Sequence, residues 1–275
     1  MKSTQHKIAV GAATVAFRVR GDAGAPIVFI HGTGLSSRYW SPLAASLGAS
    51  HRTVAIDLLG YGDSSAPASG DDFHLDEDRD AVISVLSTLS APAHLVGHSY
   101  GGLVALRVAL AQPERVRSLA LYEPVAFSVL RSAGRTDGIR DLDQANEGGL
   151  ITSDATGGSE VWLRRFVDYW NGAGAFDAMT APAREALLKG GRKSYLEVRS
   201  NLADATSHEV YARITAPVLV VHGSRSPLAA RATAEVLAEH LPRAKKLVLE
   251  NAGHLGPFTH GDAFEAMVRG ALAES

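Results

Sequence analysis

Six short apolar runs recur along the chain, each about strand length and each closed by a polar residue or glycine. They are 27–30 before His31-Gly32, 53–56 before Asp57, 94–96 before Gly97, 118–122 before Glu123, 218–221 before His222-Gly223, and 246–249 before Glu250. None alternates apolar with polar, which is the pattern of strands buried on both faces. Between them apolar residues recur at helical spacing over 38–47, 76–89, 101–111, 229–241 and 262–272. Strand and helix in alternation predict an α/β fold, a mainly parallel sheet flanked by helices. Upstream, 7–10, a Gly-Ala turn and 14–20 read as strand, turn, strand. Lys2 and Lys7 before apolar residues faintly imitate a secretion signal, but Gly11 and Thr14 break the stretch and it runs into Arg18 and Arg20.

The alternation stops after Glu123. Residues 125–215 contain no clear strand run and divide a core of 1–124 and 216–275. Helical faces are predicted over 161–170, from a Thr180 cap through 189, and around 195–202. Thr206 and Glu209 have capping-box spacing before Val210 and Tyr211. Residues 128–158, rich in Gly, Asp, Ser and Thr, read as a mobile loop. The insert carries Trp162, Phe166, Tyr169, Trp170, Phe176 and Tyr195, whose spacing predicts packing for most of them.

Composition narrows the chemistry. Hydrophobic residues are 46% of 275 and charged residues 20%, enough for a real core and too apolar for a disordered chain. With 27 basic and 29 acidic side chains the net charge is −2, so no general field attracts nucleic acid or an anionic membrane. No run reaches the roughly 18 apolar residues of a membrane span. The absence of cysteine excludes disulfides, thiolate metal sites and a cysteine nucleophile. The acidic stretch 71–78 lacks the ligand spacing of a calcium loop and reads as a solvated helix start. A cytoplasmic protein without metal or cofactor is expected.

Gly97-His98-Ser99-Tyr100-Gly101 fits G-x-S-x-G between a buried strand and a helix. Reversing from strand to helix in one residue strains Ser99 and lifts its hydroxyl above the sheet, while the glycines leave room where side chains would collide. The helix N-terminus behind it favours developing negative charge.

Three more motifs stand in order with this one: His31-Gly32-Thr33-Gly34, Asp57-Leu-Leu-Gly60-Tyr-Gly62-Asp-Ser64, and Asn251-Ala-Gly253-His254. Together they make the chain resemble the α/β-hydrolase superfamily over residues 7–273. The resemblance implies an α/β-hydrolase fold with a helical cap at 125–215. It implies Ser99 as nucleophile and His254, among eleven histidines, as its base. It implies an oxyanion hole made by the amides of Thr33 and Tyr100. Trp162 and Phe166 are candidates for lining the pocket beneath the cap.

The superfamily usually keeps its acid after the seventh strand. Here that loop reads His222-Gly223-Ser224-Arg225-Ser226-Pro227, with Ser226 where Asp is expected. Glu123, ending the sixth strand, is the alternative. Parallel strands end on one edge of the sheet, so Glu123 and Ser99 open onto the same rim, and some haloalkane dehalogenases carry the acid there. Dehalogenation and epoxide opening themselves use an Asp nucleophile in this superfamily, which Ser99 replaces. The reading is a serine hydrolase of small carboxylic esters acting through Ser99, His254 and Glu123. Two others stand beside it: a carbon–carbon hydrolase of a vinylogous diketone acid, which would need a carboxylate-binding arginine, and a non-catalytic ligand-binding member that has lost its acid.

Overall fold

A computed structural model describes residues 3–274. Eight strands form one sheet: β1 (Thr4–Val10), β2 (Ala13–Arg20), β3 (Ile27–Ile30), β4 (Thr53–Asp57), β5 (Ala93–His98), β6 (Val116–Tyr122), β7 (Val218–Gly223) and β8 (Ala244–Leu249). Their order is β1-β2-β4-β3-β5-β6-β7-β8. β2 pairs antiparallel with β1 and with β4, and the remaining pairs are parallel. This is the doubly covered, mainly parallel sheet that the apolar runs predict.

The missing alternation has a direct cause. Val28 and Ile30 of β3 enter one hydrophobic cluster while Ile27 and Phe29 enter another on the opposite face. The edge strand β8 differs, exposing Lys245 and Lys246 to water, which discourages another strand from adding there.

Helices cover both faces. The helical pattern at 38–47 resolves into a 3₁₀ turn, Ser37–Trp40, and an α-helix, Ser41–Leu47, with Pro42 in its first turn. Among the described residues no helix is long and apolar enough to cross a membrane.

Between β6 and β7 lie the helices Ser128–Ser132, Thr136–Ala145, Glu160–Asn171, Ala175–Ala178, Ala181–Lys189, Gly191–Ala203 and His208–Tyr211. Trp162, Leu163, Phe176, Leu187 and Tyr195 form a cluster of their own there, joined by Phe73 from the core. Thr180 caps its helix by accepting from the Ala183 amide at 3.4 Å.

Two expectations fail in this region. Residues 128–158 are not one loop: Ser128–Ser132 and Thr136–Ala145 are helical. Tertiary contacts override their composition. Gly138 lets its helix approach Leu130 and Ala232, and Asp141 accepts from Tyr169 Oη at 2.8 Å and from the Ala229 amide at 2.9 Å. Nor is there a capping box at Thr206, because Ser207 is the N-cap of His208–Tyr211 and gives no side-chain cap. The Thr206 hydroxyl bonds Asp204 and receives Arg107 instead.

Candidate active site

The elbow forms where β5 runs into the helix Tyr100–Ala111. Ser99 has φ 55 and ψ −120, a costly conformation for a residue with a side chain. It is held by its neighbours: its amide donates to Tyr122 O at 2.9 Å, and its carbonyl accepts from Gly102, Leu103 and Val125 amides. A side chain at position 97 would stand 2.6 Å from the Gly101 carbonyl, and one at 101 would collide with the carbonyls of Ile30 and His31.

β5 and β6 pair with His98 opposite Tyr122, so the residues that follow, Ser99 and Glu123, leave the sheet side by side. Glu123 also has a positive φ, 46, and its amide donates to Val221 O of β7 at 2.8 Å. The carboxylate is fully buried. Its Oε1 accepts from the Gly223 amide at 2.7 Å and from the Ser226 hydroxyl. Its Oε2 accepts from His254 Nδ1 at 2.6 Å. Burial pushes the carboxyl up, but the His254 ring, Ser226 and Gly223 together outweigh it and hold it below the usual carboxylate range. Ser226, at the position where the acid is ordinarily expected, supports the carboxylate that stands elsewhere.

His254 Nε2 faces Ser99 Oγ at 3.0 Å. Several contacts fix its loop. His98 Nε2–H donates to the His254 carbonyl at 2.9 Å, and Tyr122 Oη donates to Gly253 O at 2.6 Å. Burial drives the His98 imidazole well below its ordinary pKa, with His254 adding to the effect, so His98 acts as a neutral strut. Trp170 of the insert stacks on the His254 ring, centroids 3.8 Å apart and planes 22° apart. Neither prop announces itself in sequence: His98 reads as the variable position of the motif, and Trp170 as one aromatic among several.

Beside Ser99 lies a largely apolar cavity bordered by Thr33, Tyr100, Phe166, Trp170 and Asn201 among others. The loop carrying Thr33 is fixed by His31, whose Nδ1–H donates to Gly32 O at 2.8 Å and whose Nε2 accepts from the Leu58 amide at 3.0 Å. Below it Asp57 accepts from the Ser37 and Asp63 amides at 2.7 and 3.1 Å. Of the two insert candidates only Phe166 borders this cavity. Trp162 is fully buried in the insert's own cluster. It stacks on Phe166, and its Nε1–H donates to Ile151 O at 2.9 Å.

A charged cluster lies next to the cavity, and one of its members, Asp78, comes from the stretch that sequence predicts to be solvated. Lys193 Nζ contacts Asp78 Oδ2 at 2.8 Å and Glu197 Oε1 at 2.6 Å. All three are buried. Tyr61 Oη donates to Glu197 Oε2 and Tyr100 Oη to Asp78 Oδ2, each at 3.1 Å. Asp78 therefore does not belong to a solvated acidic run. It pins the first turn of Leu75–Ser87 to the insert. Burial raises the Glu197 carboxyl to about 7 against the pull of Lys193. Burial opposes the Lys193 ammonium, but the two carboxylates outweigh it and raise its pKa. Arg164 and Arg192 make ion pairs with acidic side chains, and Arg165 donates to the carbonyls of Gln144 and Ala145. Among the described residues no group of three or more His, Asp or Glu is placed to hold a metal ion.

The sequence pattern of the alpha/beta hydrolase fold matches residues 25–261. The chain belongs to the α/β-hydrolase family. A pimeloyl-[acyl-carrier protein] methyl ester esterase of Neisseria meningitidis is 30% identical over 250 residues, covering 90% of this hydrolase and 93% of that protein. A 2-hydroxymuconate semialdehyde hydrolase of a Pseudomonas strain is 28% identical and covers 100% of this chain and 98% of its own. The crystal structure of the enol-lactonase from Burkholderia xenovorans superposes with a TM-score of 0.76 at 22% identity, covering 98% of this hydrolase and 100% of that chain. Family and relatives make this α/β-hydrolase an enzyme.

Proposed function

We propose that this α/β-hydrolase cleaves carboxylic esters through Ser99, His254 and Glu123. The observation that carries the reading is the unbroken chain of contacts from Ser99 Oγ to His254 Nε2 and from His254 Nδ1 to Glu123 Oε2. Ser99 Oγ attacks the ester carbonyl while His254 Nε2 takes its proton. The carbonyl electrons move onto oxygen, where the Thr33 and Tyr100 amides receive the charge. Collapse expels the alcohol, which leaves with the proton from His254. Water then repeats the sequence on the acyl-enzyme, giving the acid and free Ser99. Glu123 keeps the proton on Nδ1, so that Nε2 faces Ser99 as a base, and balances the imidazolium. The residues of 125–215 form the cap over the site, with Phe166 and Trp170 as its contact surface.

The esterase from Neisseria meningitidis supports this reading. The Pseudomonas relative favours carbon–carbon hydrolysis instead. That chemistry requires a cation for the substrate's carboxylate; the residues bordering the cavity include no Arg or Lys, whereas the wider cleft that also meets Ser99 and His254 has Arg38 and Lys189 among its lining. The nearest buried cation, Lys193, is already balanced by Asp78 and Glu197.

The test is labelling with a fluorophosphonate and locating the adduct by mass spectrometry. Stoichiometric modification of Ser99, lost in His254→Ala, followed by turnover of simple esters, is the expected result. A Ser99 that neither labels nor turns over esters overturns the proposal and returns the non-catalytic reading.

A further inference from the structure

We infer that the two hollows meeting at Ser99 divide the ester between them, the narrow apolar cavity taking a short acyl chain and the wide cleft taking the alcohol, so that the preferred substrate joins a small apolar acid to a large alcohol. This rests on the ester-hydrolase reading and names the substrate class within it.

The assignment follows from where the proton must go. His254 Nε2 lies 3.0 Å from Ser99 Oγ and hands its proton to the departing oxygen. The alcohol therefore lies on the His254 side of Ser99. The acyl chain, the other substituent of the carbonyl carbon, points away from it. The hollows sort themselves by the same residues. The cleft borders His98, Ser99, His254 and Leu255. The cavity borders Ser99 and Tyr100 but neither histidine. Phe166 and Trp170 border both, as a partition does.

Size then sets the preference. The cavity holds about 60 Å³ and the cleft about 860 Å³. A cavity of about 150 Å³ accepts benzene, so in proportion the smaller hollow takes about two or three carbons. Its wall does not retreat easily. Val125 and Phe127 belong to the main hydrophobic core, and Phe127 stacks on Trp170 with centroids 6.3 Å apart. Shifting them would disturb close-packed side chains. The cleft differs in kind as well as in volume. Arg38 and Lys189 on its border are exposed, so a long alcohol can run out toward water.

The test uses two isomers in which the ester is reversed. Hexyl acetate carries six carbons on the alcohol, and methyl heptanoate carries the same six beyond the acyl carbonyl. Hydrolysis is followed by pH-stat on the full chain. The expected result is a kcat/KM at least about tenfold higher for hexyl acetate, because one methylene in a packed pocket is already worth about tenfold. Leu142 and Leu202 border the cavity. In Leu142→Ala and Leu202→Ala, each of which removes three carbons from the wall, the ratio should fall by about tenfold through a gain on methyl heptanoate. A substitution that only loosened the fold would lower both rates together. Equal rates or a preference for methyl heptanoate in wild type overturns the inference, as does a ratio unchanged in both folded variants. If p-nitrophenyl acetate is still turned over in those cases, the hydrolase reading survives and this inference alone fails. Absence of turnover on all three esters overturns that reading and the inference with it.

Discussion

Replacing Glu123 by Gln changes one atom in the buried carboxyl, and the structure dictates which way the amide must turn. The Gly223 amide, 2.7 Å from Oε1, can only donate. The Ser226 hydroxyl donates to the same oxygen. The Gln oxygen is therefore held on that side, and its NH₂ occupies the position of Oε2, facing His254 Nδ1. An NH₂ group requires Nδ1 to be an acceptor, which moves the imidazole proton to Nε2. That nitrogen is 3.0 Å from Ser99 Oγ and would then point a proton at the hydroxyl it should deprotonate. A base locked in the wrong tautomer costs about 10⁴-fold in kcat, or about 5.5 kcal/mol. Initial rates on p-nitrophenyl acetate read the loss, with near-ultraviolet circular dichroism as the control for folding. Glu123→Gln with kcat within about tenfold of wild type would refute the tautomer argument and Glu123 as the acid. Ser226→Ala supplies the graded comparison. It removes one donor but leaves the tautomer, so its loss should be about tenfold at most.

Three further outcomes follow from the buried contacts. Lys193→Met leaves Asp78 and Glu197 facing each other without their cation and should cost about 3–5 kcal/mol in urea unfolding; a loss below about 1 kcal/mol would count against the cluster as a structural unit. Glu197 is raised to about 7 when folded, so its contribution is complete below its ordinary unfolded pKa and disappears as pH rises through the folded value. Wild-type stability should fall by up to about 1.4 kcal/mol per pH unit from ~5 to ~7, and Glu197→Gln should flatten that slope in denaturation curves taken across the range. Trp170→Ala removes the ring stacked on His254 and should lower kcat by about 10–100-fold, with thermal unfolding showing a cost of about 3 kcal/mol or more; an unchanged kcat would mean that the ring only fills space.

The elements that could be read from sequence are those whose information is local. Apolar runs buried on both faces declare themselves one by one, and G-x-S-x-G carries its own steric logic at Ser99. The carboxylate that meets His254 was legible as a gap at Ser226 together with a glutamate ending the sixth strand, because parallel strands share an edge. The hydroxyl of Ser226 as a donor to that carboxylate was not, since it depends on β6 and β7 lying side by side. The same holds for Asp78, whose burial is set by a lysine 115 positions away, and for Trp170 over His254. Composition misled at 128–158, where glycine and aspartate serve close helix packing and long-range hydrogen bonds instead of marking a loop. Trp162 and Phe166 share one helix and were indistinguishable by spacing, yet only the second meets the cavity.

The bond between Ser226 and Glu123 also bears on how an acid can change position during evolution. A carboxylate introduced at 226 would arrive against Glu123 Oε1, where the serine hydroxyl now sits. Two carboxyls at that separation cannot both ionise, so they would share a proton and present a single negative charge. Either could then be lost without the histidine passing through a stage with no anion near it. The loop serine three residues past β7 and the glutamate that follows β6 thus mark two adjoining positions from which a single anion can face His254.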